Sequence, residues 1–392
     1  MPTAHNRDPR PRGTPRTPQS KRISDLLKGS SAAFLWRVLG AGAAIGVQIF
    51  IARRVGEEAF GDFAFALAIL GIFSLLTRLG LGTSLLRFIG QYRAQGARDL
   101  LAGLLYSSLA AVLVTATFCA WGGAWTLGYL RGILSFGQLA VLGTAAWMLP
   151  PLAVMGIAQS ILLGFKRIGP AVFSVQIARP FFLVAALTFL IRVPGLAPDA
   201  QTAIKAETIA VTLTVAVMLV LAGWFVRGAV DWRTPRFSSR EWLVVSVPLL
   251  LVTGLQVVFN QTDIIMLGSL TTSGETGVYA AAARTARLVL FGLTAINSAA
   301  APMIAEAYHS GRMKDMDAVL RLIARILLAF TFGMAVLFIL GGRHILGLFG
   351  PEFGAGYGPL LILMAGQAFN SLCGPVAYLL TMTGNQNIAA RV

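Results

Sequence analysis

The sequence is poor in charge, poor in acid, and poor in the residues that carry most catalytic chemistry. Only 12% of its 392 residues are charged, against about 25% in soluble domains. A soluble chain of this length must coat itself with charge. Here 56% of residues are hydrophobic and the mean hydropathy is +0.74, so the surface is built for lipid. The two cysteines, Cys119 and Cys373, lie in apolar runs, which excludes a disulfide framework or a zinc site. Three histidines, His5, His309 and His344, are too few and too scattered for a metal centre. No Gly-x-x-x-x-Gly-Lys-Ser/Thr loop is present to bind ATP, and neither clustered carboxylates nor a Ser-His-Asp set can be argued. The expectation is a protein that is not an enzyme and needs no cofactor. No cleavable leader is expected either. Residues 1–29 are rich in Pro, Arg, Thr and Ser without an apolar core, and read as a disordered basic cytoplasmic tail.

What is present is a series of long apolar runs. Crossing a bilayer takes about 20 apolar helical residues. Spans are expected at 30–52, 62–82, 100–122, 138–164, 170–191, 203–226, 242–269, 278–304, 318–340 and 358–383. The runs lack the period-two alternation of membrane barrels, so the fold class is all-α, a polytopic membrane protein of about ten helices. With the N-terminus placed inside, 20 of the 32 Lys and Arg fall in inside segments and 6 in outside loops. This bias fixes a multi-pass topology with both ends in the cytoplasm. It also accounts for the net charge of +16, which faces anionic membrane lipid rather than nucleic acid.

The chain rhymes with itself. Gly46 and Gln48 match Gly254 and Gln256 at an offset of 208 residues; Gly61, Phe63, Tyr92 and Asp99 match Gly277, Tyr279, Tyr308 and Asp315 at 216. Spans 1 and 7 share orientation, so the halves are parallel repeats, a transporter plan with the substrate site between them. The alternative is duplication of a helical scaffold. The expected organisation is a six-helix lobe over 30–226, a cytoplasmic linker over 227–241, and a four-helix lobe over 242–392. On repeat logic the second lobe lacks two spans.

The run Asn260-Gln-Thr-Asp263-Ile-Ile-Met-Leu-Gly268, followed by Thr276-Gly-Val-Tyr279-Ala-Ala-Ala-Ala-Arg284, resembles the seventh and eighth helices of polysaccharide flippases. Ala299-Ala-Ala-Pro302 leading to Glu306-Ala-Tyr308 extends the likeness. Arg37 through Ala52-Arg-Arg54-Val-Gly56-Glu-Glu-Ala-Phe60-Gly61 resembles the family's first hairpin, and Arg78-Leu-Gly80-Leu-Gly82 through Arg87-Phe88 and Tyr92 continues it. The family is the Wzx-type (O-antigen and teichoic-acid) branch of the multidrug/oligosaccharidyl-lipid/polysaccharide (MOP) superfamily. The resemblance implies a two-lobed transporter in a bacterial inner membrane. It would move an undecaprenyl-pyrophosphate-linked oligosaccharide to the outer leaflet by alternating access, for lipopolysaccharide or exopolysaccharide biosynthesis, beside polymerase or assembly proteins. Rival readings are a cation-coupled drug antiporter of the same superfamily and a transport-inactive scaffold in an assembly complex.

A carrier of pyrophosphate and sugar must supply cations and hydrogen-bonding groups within the membrane, because burying an unpaired phosphate is costly. Charges inside spans are expensive and mark such sites. Arg37 lies one-third of the way in, Arg325 likewise, and Arg179 and Arg287 lie nearest the midplane. Arg179 precedes Pro180 and could line a cavity or bond carbonyls freed by the kink. Arg78 lies at a span end, where snorkelling is expected. Thr253, Gln256, Asn260 and Asp263 share one helical face, as do Arg284, Arg287, Phe291, Thr294 and Ser298, and Arg37, Ala41, Ala44 and Gln48. Such stripes face a cavity or act as glue between helices. Asp263 and Arg284 are expected to approach each other. Prolines 150, 151, 180, 248 and 375 are expected to kink their spans.

Overall fold

The structure, a computed structural model, describes residues 19–132, 134–290 and 313–372. Every regular element among them is a helix. α1 spans Gln19–Thr77 but is not one rod. At Gly56, φ is 81° and ψ is 174°, a state essentially closed to residues with a Cβ. The break falls where the sequence places the turn between the first two spans. A second turn follows, with Leu79 (φ 51°) and Gly80 (φ 74°) left-handed, and leads into α2 (Leu81–Gln95). The sequence reads α2 as an inside loop. It is an amphipathic helix, with Leu81, Leu85, Phe88, Ile89 and Tyr92 buried and Arg87 and Arg93 exposed.

α3 (Arg98–Thr126) runs back. α4 (Phe136–Ala146) and α5 (Leu149–Gly164) meet at a 49° bend. Pro150 and Pro151 sit in the first turn of α5, where a missing N–H breaks no bond. α6 (Ile168–Phe173) widens into a π turn, Ser174–Ala178, before α7 (Arg179–Ile191). Pro180 supplies the cause: its ring crowds the carbonyl of Gln176, four residues back, and the helix takes in one extra residue. The Arg179 N–H accordingly bonds the Ser174 carbonyl. α8 (Ala200–Val226) starts at Asp199, whose side chain accepts from the Thr202 N–H at 2.8 Å. The second half contains α9 (Ser239–Phe259), which holds Pro248, then α10 (Thr262–Leu270), α11 (273–290), α12 (Met313–Gly347) and α13 (Tyr357–Leu372). Pro375 lies outside the described residues.

Among the described residues six helices are long and apolar enough to cross a membrane, or seven if the bent α4–α5 pair is one span. Each of the ten expected spans overlaps a described helix, though fewer than ten of these helices are long and apolar enough by themselves. α1 carries two of them, one on each side of Gly56. The expected spans at 278–304 and 358–383 continue into residues outside the described set.

The two halves of the chain meet along a seam. The helical run from Glu57 through α2 lies antiparallel to α9, α10 and the start of α11. From the Gly56 end toward the Arg98 end, Gly61 meets the backbone of Ser273, Phe65 lies against Gly268, Gly71 faces Gln261, and Leu75 faces Gly254. Gly80 then meets the backbone of Ser246, and the Ser84 and Ser246 hydroxyls share a hydrogen bond of 2.6 Å. The Trp242 indole N–H donates to Tyr92 Oη at 2.9 Å. Glycines at these points let backbones approach, as between membrane helices generally. At the Gly56 end the contact is reciprocal. A Cβ on Gly61 would strike the Ser273 carbonyl, and one on Gly277 would strike the Glu57 carbonyl. Glu57 and Ser273 are themselves separated by the 216-residue repeat offset, so each half presents the same groove to the other.

Candidate functional site

Four helices bring polar side chains together between the halves. Counting about 1.5 Å per residue, Arg284 lies ~16 Å along α11, Glu207 ~10 Å along α8, and Arg179 ~18 Å from the far end of α7. Glu207 is buried, Arg284 is half-buried, and Arg287 is exposed in the space between the halves.

Arg284 donates through Nη1 to Gln48 Oε1 of α1, and its guanidinium lies over the Phe60 ring at 4.8 Å. Phe60 is fully buried against Phe349 and Phe353, with ring centroids at 6.3 and 5.7 Å. The cation thus rests on an aromatic floor shared by both halves. The carboxylate of Glu207 and the guanidinium of Arg287 both act on it electrostatically. Arg287 donates to the main-chain carbonyl of Asn260 at 3.3 Å. Asn260 is the C-cap of α9, so Arg287 sits on the negative end of that helix.

The expected Asp263–Arg284 approach is not what the structure contains. Asp263 accepts from Tyr279 Oη at 3.0 Å and from the Ile264 N–H at 2.8 Å. The reason is local. The shared face of Thr253, Gln256, Asn260 and Asp263 presumes one continuous helix, but the helix stops at Asn260 and restarts at Thr262. Polar side chains such as Asn, Gln and Asp compete with helical backbone bonds and favour caps. Gln256 and Asn260 are exposed, whereas Asp263 is turned into the first turn of α10. A broken helix at membrane depth is tolerated where protein or water satisfies its ends, and Arg287 and Tyr279 flank this one.

Among the described residues the Arg179 side chain bonds a carboxylate and not a carbonyl freed by the kink. Its Nε donates to Glu207 Oε1 at 2.8 Å, and Nη2 reaches the same oxygen. Glu207 is 2% exposed and is the main residue that the sequence reading passed over. Its signal was available, since an acid inside a span is as costly as an arginine. Gln176, in the π turn, packs over Gly40, and its Oε1 is buried without a hydrogen-bond partner among the described residues. Arg37 lies on α1, but its side chain is outside the described residues, as are Phe291, Thr294 and Ser298. Arg325 is exposed on α12, and no described residue bonds to it. Arg78 is remote from this cluster, at the α1–α2 break. Its Nε donates to the Ser74 carbonyl at 3.0 Å and its guanidinium lies across Gly156 of α5.

The cluster therefore presents three arginines. One is matched by a carboxylate, and two are held by uncharged oxygens. Charge-assisted bonds between ions are roughly twice as strong as neutral ones, so these two arginines retain capacity for a stronger, anionic partner.

Comparison with known proteins shows the family and the fold. Residues 26–308 match the family described as polysaccharide biosynthesis protein, and residues 248–392 match the MatE family. No curated protein matches the chain. Among solved structures, a multidrug resistance MATE family transporter of the MOP superfamily in an inward-facing conformation is similar, with TM-score 0.73 at 15% identity over 90% of this chain and 82% of that one. A eukaryotic MATE transporter is similar with TM-score 0.61 at 15% identity, covering 95% and 85%. An outward-facing MATE family transporter gives 0.59 at 18% identity, covering 91% and 82%. At such identities the likeness establishes the fold.

Proposed function

We propose, from the premise that this chain belongs to the polysaccharide biosynthesis protein family and has the fold of a multi-pass MOP superfamily transporter, that it is a flippase for a lipid-linked oligosaccharide. The cargo is an undecaprenyl-pyrophosphate-linked oligosaccharide carried from the cytoplasmic to the outer leaflet of a bacterial inner membrane, with the N-terminus inside. The carrying observation is the state of Arg284 and Arg287. Both lie between the halves of the chain at membrane depth, and both are held by neutral oxygens. A pyrophosphate supplies the negative charge they lack, while the isoprenoid tail stays in lipid. The test is transfer of a fluorescent undecaprenyl-pyrophosphate oligosaccharide across proteoliposomes. Loss of transfer in Arg284→Ala and Arg287→Ala, with normal protein in the membrane, supports the reading. Undiminished transfer in both variants sinks it.

One observation favours a second reading, the cation-coupled drug antiporter. Such a protein needs an acid in the first half, and Glu207 is one; the MatE match over 248–392 points the same way. Raised resistance to cationic drugs in cells expressing the protein, abolished by Glu207→Gln with normal protein in the membrane, would select that reading.

A further inference from the structure

The pocket beside Arg78 is not used by the cluster above. It has a volume of about 300 Å³ and is lined by Arg78, Gly82, Thr83, Gln159, Ser160 and Thr253, among others. Thr253 comes from α9 and the others from the first half, so the seam itself closes the pocket. Arg78 is held in it from two sides, by the Ser74 carbonyl and by the flat surface at Gly156, where a Cβ would collide with Nη1. The ion pairs among the described residues are Arg179–Glu207 and Arg236–Asp99, and neither involves Arg78. Its cation is half-buried without a carboxylate, an expensive arrangement unless an anion visits. The Thr83 hydroxyl and Gln159 amide, which also line the pocket, have no hydrogen bond within the described residues and are free to donate.

We propose that this pocket is a second anion site, which takes the phosphate group of the cargo before it reaches Arg284 and Arg287. The proposal rests on the flippase reading. Its volume lies at the lower limit of small-molecule sites, about 300–1,000 Å³, which suits a phosphate rather than a sugar chain. Its depth fits an entry point: counted along the helix from Gly56, Arg78 lies ~33 Å away, at the opposite face of a hydrocarbon core of about 30 Å. By the charge bias that face is cytoplasmic. A guanidinium with neighbouring hydroxyl and amide donors matches phosphate geometry. The same chemistry would accept the phosphate of a membrane phospholipid.

The test uses the full chain in phosphatidylcholine nanodiscs, with inorganic pyrophosphate as the probe. An Arg284→Ala/Arg287→Ala background isolates this pocket. In that background pyrophosphate still binds, and adding Arg78→Gln weakens it by at least ~10-fold, the equivalent of one charge-assisted bond. Thr83→Val with Gln159→Leu, which leaves Arg78 and its packing in place, weakens binding in the same direction. Absence of pyrophosphate binding in the background, or equal affinity with and without Arg78→Gln, overturns the proposal while leaving the flippase reading to its own transfer assay. Replacing part of the phosphatidylcholine with phosphatidylglycerol separates the sources. Competition with pyrophosphate assigns the site to lipid phosphates generally, and its absence assigns it to the pyrophosphate of the cargo.

Discussion

Arg284 of α11 and Gln48 of α1 are hydrogen-bonded across the two halves of the chain, with Phe60 beneath the guanidinium at 4.8 Å. The sequence repeat pairs Arg284 with Ala68 and Gln48 with Gln256. The symmetry-related contact therefore has an amide but no cation. The duplicated scaffold is used asymmetrically, and the charge lies on one wall.

Arg284→Lys is expected to behave almost as badly as Arg284→Ala in lipid transfer, with at least ~10-fold loss in each. Lysine cannot both lie flat on Phe60 and donate in a planar fork. The measurement is initial transfer rate per unit of reconstituted protein. A lysine variant at wild-type rate would mean that charge alone suffices.

The Arg179–Glu207 pair yields a stability prediction. Glu207→Gln leaves a cation at membrane depth without its counter-charge, at a cost of about 3–5 kcal/mol. Arg179→Gln/Glu207→Gln removes both charges and is expected to recover much of the loss. Thermal unfolding of the purified protein reads both. A double variant as unstable as Glu207→Gln would show that the pair is not the source of the penalty.

Asp263 and Tyr279 share one hydrogen bond of 3.0 Å, so Asp263→Asn and Tyr279→Phe should not be additive. A coupling of about 0.5–1.5 kcal/mol is expected in a double-mutant cycle on stability. Strict additivity would remove the contact from the account.

Much of the fold was legible because its causes are local. Apolar run length gave the spans, Gly56 gave the first turn, and Pro150, Pro151 and Pro180 gave the bends. The prolines differ in effect because position decides: two cap a helix start and one forces a π turn. The site was legible in its residues more than in its pairings. Arg284, Arg287 and Gln48 come together, but the pairing of Asp263 depended on a helix that stops at Asn260. Glu207 was harder to read because it is the lone acid on its helix, and its partner is 28 residues away. Which acid meets which base is a tertiary fact, set by α7 and α8 packing side by side.

A paired substitution tests the seam. Gly61→Ala drives a Cβ into the Ser273 carbonyl and should destabilise by about 1–3 kcal/mol. Gly46→Ala, on the other side of the Gly56 break with nothing within 4 Å of its Cβ, should be neutral or stabilising by up to about 1 kcal/mol. Equal unfolding midpoints for the two would discount the close approach.

The reciprocal contact of Gly61 and Gly277 is also what two separate, identical half-length chains would make if they dimerised about a two-fold axis. At that point nothing requires the halves to share one polypeptide. Joining them by the segment after α8 turns an encounter between molecules into a contact held at high effective concentration. It also frees each half to diverge, so that one carries Arg284 where the other carries Ala68.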